Sequence, residues 1–352
     1  MSSSSTHAAT AAGKRAALRL AFGVTVCFAL VEAFDWDATF LAPLLAANML
    51  VRLERYPSLA QGVLFVVLIA LSSGAVLLLT NVLSSSPAVL ILALALLMYL
   101  TFYAHRRGAP DLATFLPQLS VVTIPVIAVL SPQLSGQFAS TLVSAGIAAL
   151  LVVWLAYAAF PPLSDGPASS SVARPAQPPR TASSNALLDT LVLAPALAWF
   201  ILDATEVAVV ALIIIVTLLR MRDAEQSLRA AFGLILANLI GGVAAAIVYS
   251  LVILANTFLF FVTACLAASL IFAGRIATAG DRAPVYAIAL ATFILLLGLG
   301  MTPLPGGSSE FFVARLQNVL LASAYTIGGI SLTSRWRHAH TSGTEELSGS
   351  RV

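Results

Sequence analysis

Carboxylates stand beside the same tripeptide at two distant places in the chain. Asp37 and Asp203 each begin an Asp-Ala-Thr triplet, and Glu32 and Glu206 lie a few residues away. Acidic side chains form proton relays in membrane pumps and transporters. These acids are therefore proton-coupling candidates. Acids at the border of an apolar segment also simply end a helix and face water, and both interpretations stay open.

Arg315 and its neighbours form a second candidate group. Arg315 lies about one turn into an apolar segment, and Asn318 follows it. A charge inside a membrane-spanning segment is costly, so it is a functional candidate by default, here as a partner for an anionic substrate. The competing interpretation is that Arg315 reaches the membrane interface or pairs with Glu310. Two further amides in apolar segments, Asn48 and Asn238, are either substrate ligands or hydrogen-bond partners between helices.

The residue sets of common catalytic and metal sites are missing from the sequence. Lys14 is the only lysine, and no G-x-x-x-x-G-K-[ST] surrounds it, so a P-loop ATPase is excluded. The four histidines are expected in tails and loops, and Cys27 and Cys265 in apolar segments, so neither a Ser-His-Asp triad nor a zinc site is predicted. We expect no enzyme, no metal or other cofactor, and no nucleic-acid partner.

Composition indicates what positions these residues. Hydrophobic residues make up 60% of the 352 residues and charged residues only 9%, against roughly 25% charged residues in a soluble domain. Apolar segments near the length that crosses ~30 Å of hydrocarbon recur along the chain. The sequence predicts an all-α, polytopic integral membrane protein whose surroundings are a lipid bilayer.

About twelve spans are predicted from apolar runs bounded by polar or turn residues. They cover residues 16–34, 38–51, 59–80, 87–103, 112–130, 137–160, 186–202, 205–219, 230–255, 257–273, 284–301 and 311–332. With this count, every Lys and Arg except Arg315 falls on one side of the membrane, which marks that side as cytoplasmic. Both termini are therefore predicted in the cytoplasm.

The repeated triplet indicates an internal duplication. With Asp37 aligned to Asp203, arginines close the short second span in both halves, and Pro110 falls near Pro284. We predict two parallel six-helix repeats related by an axis along the membrane normal. The predicted parts are an N-terminal tail, a first repeat, a Pro/Ser-rich linker, a second repeat and a C-terminal tail, at residues 1–15, 16–160, 161–185, 186–332 and 333–352.

The second span of each repeat is short. Residues 38–51 would form roughly 21 Å of helix against a ~30 Å core. Short spans at corresponding places in two repeats point to a binding site. We expect a cavity beside them, in the outer half of the membrane, with Arg315 as its fixed positive charge.

Several short motifs resemble those of the fusaric-acid-resistance and aromatic-acid-exporter family. They are Arg-Ala-Ala-Leu-Arg at 15–19, the acidic turn with Trp36, the short second span, and Ala-Arg-Leu-Gln-Asn at 314–318 with Gly328 and Gly329. The resemblance covers both halves, although the family's large cytoplasmic domains are reduced here to a short linker and tail. It implies export of aromatic or other weak organic acids across a bacterial inner membrane, often with a periplasmic membrane-fusion adaptor protein.

The leading hypothesis is an inner-membrane efflux permease for small organic acids, driven by the proton gradient because no ATP site exists. The alternative is a non-transporting scaffold subunit of an envelope or efflux complex. Self-association and the need for an adaptor protein are left open by the sequence.

Overall fold

The computed structural model describes residues 2–36, 38–53, 55–162, 176–203, 208–220, 228–255 and 257–301, with 321–322, 324–326 and 328–329. All regular structure in these ranges is helical. The helices are α1 (Ser2–Ala33), α2 (Leu41–Arg52), α3 (Leu59–Leu83), α4 (Pro87–Arg106), α5 (Asp111–Leu130), α6 (Pro132–Ala159), α7 (Pro179–Asp203), α8 (Ala208–Arg220), α9 (Leu228–Ala255), α10 (Phe258–Thr278) and α11 (Ala283–Met301).

Among the described residues, eight helices are long and apolar enough to cross a membrane. They are Ala11–Ala33, Leu59–Leu83, Pro87–Arg106, Gln133–Ala159, Pro179–Leu202, Leu236–Ala255, Phe258–Thr278 and Gly280–Met301. Two shorter apolar helices, Leu41–Arg52 and Ala113–Val129, lie among them. The chain therefore has the fold of an all-helical, multi-pass membrane protein.

The first eleven predicted spans each coincide with a helix. The last one, at 311–332, lies mostly outside the described residues, so the total of about twelve stays a prediction. Three helices begin five or more residues before the predicted spans. Helix α1 begins at Ser2 within the predicted tail, α6 begins at Pro132 and α7 at Pro179 within predicted loops. An alanine-rich tail favours helix, and proline fits the first turn of a helix.

Four helices form the buried centre of the bundle. Almost all of α2 is buried, as are most of α5, the described side chains of α8, and α11 from Ile288 to Gly298. Around them, α1 packs against α10, α4 against α7, α3 against α5 and α6, and α9 against α11. Helices α3 and α4 expose long apolar faces, for example at Leu71 and Leu92, as expected for surfaces that face lipid acyl chains.

Candidate functional site

A cavity of about 480 Å³ lies between the central helices. Its volume falls in the roughly 300–1,000 Å³ range of small-molecule sites. The apolar part of its wall includes Leu44, Phe115, Ile213, Ile214 and Leu295. The polar side chains on the wall are Asn48, Arg52, His105, Asp111, Thr217, Arg220, Asn238 and Thr292.

One end of the cavity carries a charged group that we name the cation cluster: Arg52, His105 and Arg220 around the carboxylate of Asp111. Arg52 pairs with Oδ2 of Asp111. His105 Nδ1 and Arg220 Nη2 lie 3.2 and 3.3 Å from its Oδ1. The guanidinium groups of Arg52 and Arg220 therefore meet at one carboxylate on the cavity wall.

Arg220 is held rigidly in the cluster. Its Nη1 donates to Thr114 Oγ1 at 3.0 Å and to Gln118 Oε1 at 2.5 Å, and its Nη2 donates to the Asp111 carbonyl at 2.8 Å. The guanidinium carbon also lies 5.3 Å from the ring centroid of Phe115. The side chain is only 4% exposed. The Nη hydrogens of Arg220 thus meet acceptors of the protein, and the guanidinium places a fixed positive charge at the cavity wall.

His105 lies between two acceptors. Its Nε2 is 3.3 Å from the Arg220 carbonyl, which can only accept, so this nitrogen carries a proton. Its Nδ1 faces the Asp111 carboxylate at 3.2 Å, and Thr114 Oγ1 at 3.4 Å is the other neighbour of that nitrogen. His105 and Asp111 are thus adjacent titratable side chains on the cavity wall.

The local sequence explains why these groups meet. Arg52 and Arg220 are the last residues of α2 and α8, where a cation is favoured by the helix dipole, and Asp111 is in the first turn of α5, where an anion is favoured. Gly108, with a φ of +85°, turns the chain between α4 and α5. This turn brings His105 back onto Asp111.

The opposite end of the same helices is closed by a tight contact between α11 and the turn before α2. Thr39 Oγ1 donates to the Gly298 carbonyl. A Cβ on Gly298 would lie 2.7 Å from Phe40 Cβ and 2.8 Å from its Cα and N. Only glycine permits this approach. The cavity is thus bordered by the cation cluster at one end, while α2 and α11 meet closely at the other.

The structure brings two of the predicted substrate residues to the cavity. Asn48 lines it and donates to the Leu44 carbonyl of its own helix at 2.9 Å, while Asn238 Oδ1 accepts from Thr292 Oγ1 at 2.7 Å. Thr292 lies nine residues into α11, or ~13 Å deep. Both amides therefore contribute polar groups to the cavity wall.

The other predicted site residues do not line the described cavity. Glu32 is exposed near the end of α1 that is remote from the cation cluster. Asp203 is the last residue of α7, and its side chain lies outside the described part. Arg315, Asn318, Asp37 and Glu206 also lie outside the described residues, so their roles stay predictions.

The described cavity lies at the arginine end of α2 and α8, and the predicted cavity beside Arg315 involves residues outside the described ranges, so it stays a prediction. One expectation about the site is wrong. His105 is not in a loop but in the last turn of α4, 3% exposed. Basic residues were assigned to loops because Lys and Arg in short loops mark the cytoplasmic side of a membrane protein. This rule does not predict which basic side chains line a cavity.

The cation cluster was missed as a site for the same reason. A signal was present: arginines close the short second helix of each predicted repeat, and both of them, Arg52 and Arg220, reach the cavity. No group of three or more His, Cys, Asp or Glu side chains that could hold a metal occurs among the described residues. The site is instead suited to an amphipathic anion, whose charge would meet the arginines while its body lies on the apolar wall.

Helices α2 and α8 both border the cavity. Helix α2 has 12 residues, or ~18 Å, which is short against a ~30 Å hydrocarbon core. Its terminal residue Arg52 is half-buried and lines the cavity.

Comparison with known proteins gives a family match over part of the chain. Residues 16–158 match the model of a family described as "Protein of unknown function (DUF2955)". No curated protein and no solved structure matches the chain. The first part of this membrane protein is therefore similar to the DUF2955 family.

Proposed function

We propose that the protein is a permease that exports small organic acids, aromatic or other weak acids, across a membrane. The cavity carries this proposal: an apolar wall suited to a ring or aliphatic body ends at a buried, hydrogen-bonded Arg220 and at Arg52. Charge-assisted bonds between guanidinium and carboxylate are strong and directional. The resemblance to the fusaric-acid-resistance and aromatic-acid-exporter family agrees with this substrate class.

The proposal includes two parallel six-helix repeats. In the two predicted repeats, each helix of the first corresponds to the helix numbered six higher in the second. The contact between α1 and α10 then corresponds to that between α7 and α4, and the contact between α3 and α5 to that between α9 and α11. All four are contacts in the described structure, which supports the duplication. The family match at 16–158 has nearly the bounds of the proposed first repeat, 16–160. The cavity would then lie on the pseudo-twofold axis between α2, α5, α8 and α11.

Energy is proposed to come from the proton gradient, because the sequence has no ATP site. His105 and Asp111 are titratable side chains on the cavity wall, and Asp37, Asp203, Glu32 and Glu206 stay candidates at the other end. We further propose that the protein lies in a bacterial inner membrane with both termini in the cytoplasm. Arg315 and Asn318 are proposed as additional substrate contacts. A periplasmic adaptor protein or a second copy of the chain is proposed as a partner.

Transport by the purified protein in proteoliposomes tests the proposal. Benzoate efflux should depend on the protein and should fall by about 10- to 100-fold for Arg220→Gln at low substrate, since a hydrogen bond to a charged group contributes ~1.5–3 kcal/mol. Arg220→Lys should keep part of the activity because it keeps the charge without the planar group.

Arg282→Gln is the matched control, because Arg282 is an exposed arginine in the turn before α11. It should transport like the parent protein. The scaffold alternative would replace the permease if neither the parent protein nor any variant transports benzoate, other aromatic acids or fatty acids, and if the protein copurifies with envelope proteins.

A further inference from the structure

We propose that Arg19 forms a binding site for the phosphate of an anionic phospholipid, at the end of the bundle where α1 packs against α6. The guanidinium carbon of Arg19 lies 4.2 Å from the ring centroid of Tyr157, and the residue is only 7% exposed. Neither residue lines the cavity between the central helices. The site is therefore separate from the cavity, and its argument does not depend on the protein being a permease.

Arg19 is a buried cation without a counterion in the described part of the chain. No described residue forms a hydrogen bond or an ion pair with its guanidinium, and its contact with the protein is the ring of Tyr157. A charge buried at membrane depth is costly unless it is paired, and it is a functional candidate by default. The missing anion can be supplied by a ligand.

The nitrogens of Arg19 reach the surface although most of the side chain is buried. Among the described residues, the fully shielded polar side-chain atoms that lack a hydrogen-bond partner are Thr25 Oγ1, Gln118 Nε2 and Ser269 Oγ. The unbonded nitrogens of Arg19 are not in this group, so they retain some exposure. Long basic side chains bury their stems in this way and keep the charged group at the surface. A ligand outside the protein can therefore accept hydrogen bonds from the guanidinium.

A second arginine lies beside Arg19. Arg15 is four residues earlier in α1, and residues at this spacing are neighbours on one face of a helix. Arg15 donates to the Pro161 carbonyl at 3.3 Å and has no carboxylate partner among the residues that the structure describes. An anion bound at Arg19 is therefore also attracted by the charge of Arg15.

Aromatic side chains mark the depth of the site in the membrane. Tyr56, which is 53% exposed, stacks on Trp154 with ring centroids 6.5 Å apart and meets Tyr157 edge-on at 6.2 Å. Tyr and Trp are enriched where the lipid headgroups meet the hydrocarbon. Arg19, which lies on Tyr157, is thus at the level of the lipid phosphates.

The aromatic rings are held in place by the protein itself. Tyr157 Oη donates to the Leu53 carbonyl, and Trp154 Nε1 donates to the Pro57 carbonyl at 3.0 Å. These bonds fix both rings against the segment between α2 and α3. The ring of Tyr157 therefore forms a fixed support for the guanidinium of Arg19.

The surroundings favour a phospholipid over a free anion. This end of α1 carries Lys14, Arg15 and Arg19, which predicts the cytoplasmic side, where the leaflet contains anionic lipids. A guanidinium binds a phosphate through parallel, charge-assisted hydrogen bonds. Exposed leucines next to the site in sequence, Leu18 and Leu155, offer contacts to acyl chains that a free anion does not have.

Lipid binding to the purified full-length protein in detergent, measured by native mass spectrometry, tests the inference. The probes are phosphatidylglycerol, which is anionic, and phosphatidylcholine with the same acyl chains, which is zwitterionic. Inorganic phosphate as a competitor distinguishes a lipid site from a site for free anions. The variants are Arg19→Gln, Arg19→Lys and the control Arg275→Gln, because Arg275 is an exposed arginine in the last turn of α10.

We expect the parent and Arg275→Gln to bind one phosphatidylglycerol about tenfold or more tighter than phosphatidylcholine, as bonds to a charged group imply. Arg19→Gln should lose this preference, and Arg19→Lys should keep part of it because it keeps the charge. Inorganic phosphate at millimolar concentration should not displace the lipid.

Three outcomes would overturn the inference. The first is equal affinity of the parent for the two lipids, which needs no variant. The second is displacement of phosphatidylglycerol by inorganic phosphate, which would indicate a site for free anions. The third is an equal loss of preference in Arg19→Gln and Arg275→Gln, which would indicate general attraction to basic residues.

Discussion

Arg106 of α4 and Asp189 of α7 form an ion pair that is almost wholly shielded from solvent. Arg106 Nη2 and Nε donate to Asp189 Oδ2 at 2.7 and 3.1 Å, and the side chains are 2% and 0% exposed. Nη2 also lies 3.3 Å from the Leu219 carbonyl. The pair therefore connects the α4–α7 contact to the end of α8, next to Arg220 of the cation cluster.

Asp189→Ala should lower the free energy of unfolding in detergent micelles by ~3–5 kcal/mol, because it removes the carboxylate from a buried guanidinium. Replacing both residues, Arg106→Met with Asp189→Leu, should cost clearly less, since no charge is then buried. Unfolding followed by circular dichroism in denaturant measures both. Asp281→Ala, at an exposed acid, should stay within ~0.5 kcal/mol of the parent. A single variant as stable as the parent would contradict the structural role of the pair.

Gly298→Ala should separate α11 from the turn before α2. The new methyl group would lie 2.7 Å from Phe40 Cβ and 2.8 Å from its backbone, which cannot yield as a side chain can. We expect a lower melting temperature and faster maleimide labelling of a cysteine placed at Thr39, whose hydroxyl bonds to the Gly298 carbonyl.

Gly274→Ala is the control for that experiment. Gly274 lies within α10, and nothing lies within 4 Å of the Cβ that alanine would add. Alanine there should be neutral or stabilising by ~0.4–1 kcal/mol. Equal effects of the two substitutions would show that the α2–α11 approach is not tight.

The orientation of the bundle can be measured by labelling single cysteines with a membrane-impermeant maleimide. Ser85, in the exposed turn between α3 and α4, should label from outside the cell, and Asp281 only from inside, because the basic residues mark the cytoplasmic side. Cys27 and Cys265 are both buried, so the background should be low. Labelling of Ser85→Cys from the inside alone would reverse the topology.

Coupling to protons predicts that an uncoupler abolishes export in energised membrane vesicles and that added ATP does not restore it. Asp37→Asn and Asp203→Asn should each weaken export if these acids carry protons. A second variant is His105→Gln, which removes the imidazole beside Asp111. It should lower the rate of gradient-driven export more than it lowers the affinity for benzoate. Export that persists with the uncoupler and requires ATP would rule out this energy source.

Composition and charge were enough to predict the helices. Long apolar runs bounded by polar residues placed eleven spans close to the observed helices, including the short α2, because hydrocarbon requires backbone groups to bond within each helix. Twelve spans and two repeats stay predictions, and the parts of the chain that hold Arg315 and Asn318 lie outside the described residues.

Only the tertiary structure decided where the site is. Arg220 meets Asp111 across 109 positions of the chain, and Arg106 meets Asp189 across 83. The helices are apolar on nearly all sides, so the sequence carries little information about which face is turned toward the centre. A basic residue at a helix end gives the same sequence pattern whether its side chain faces water or lines a cavity. Packing between helices far apart in the chain buries His105 and Arg220 and leaves Glu32 exposed.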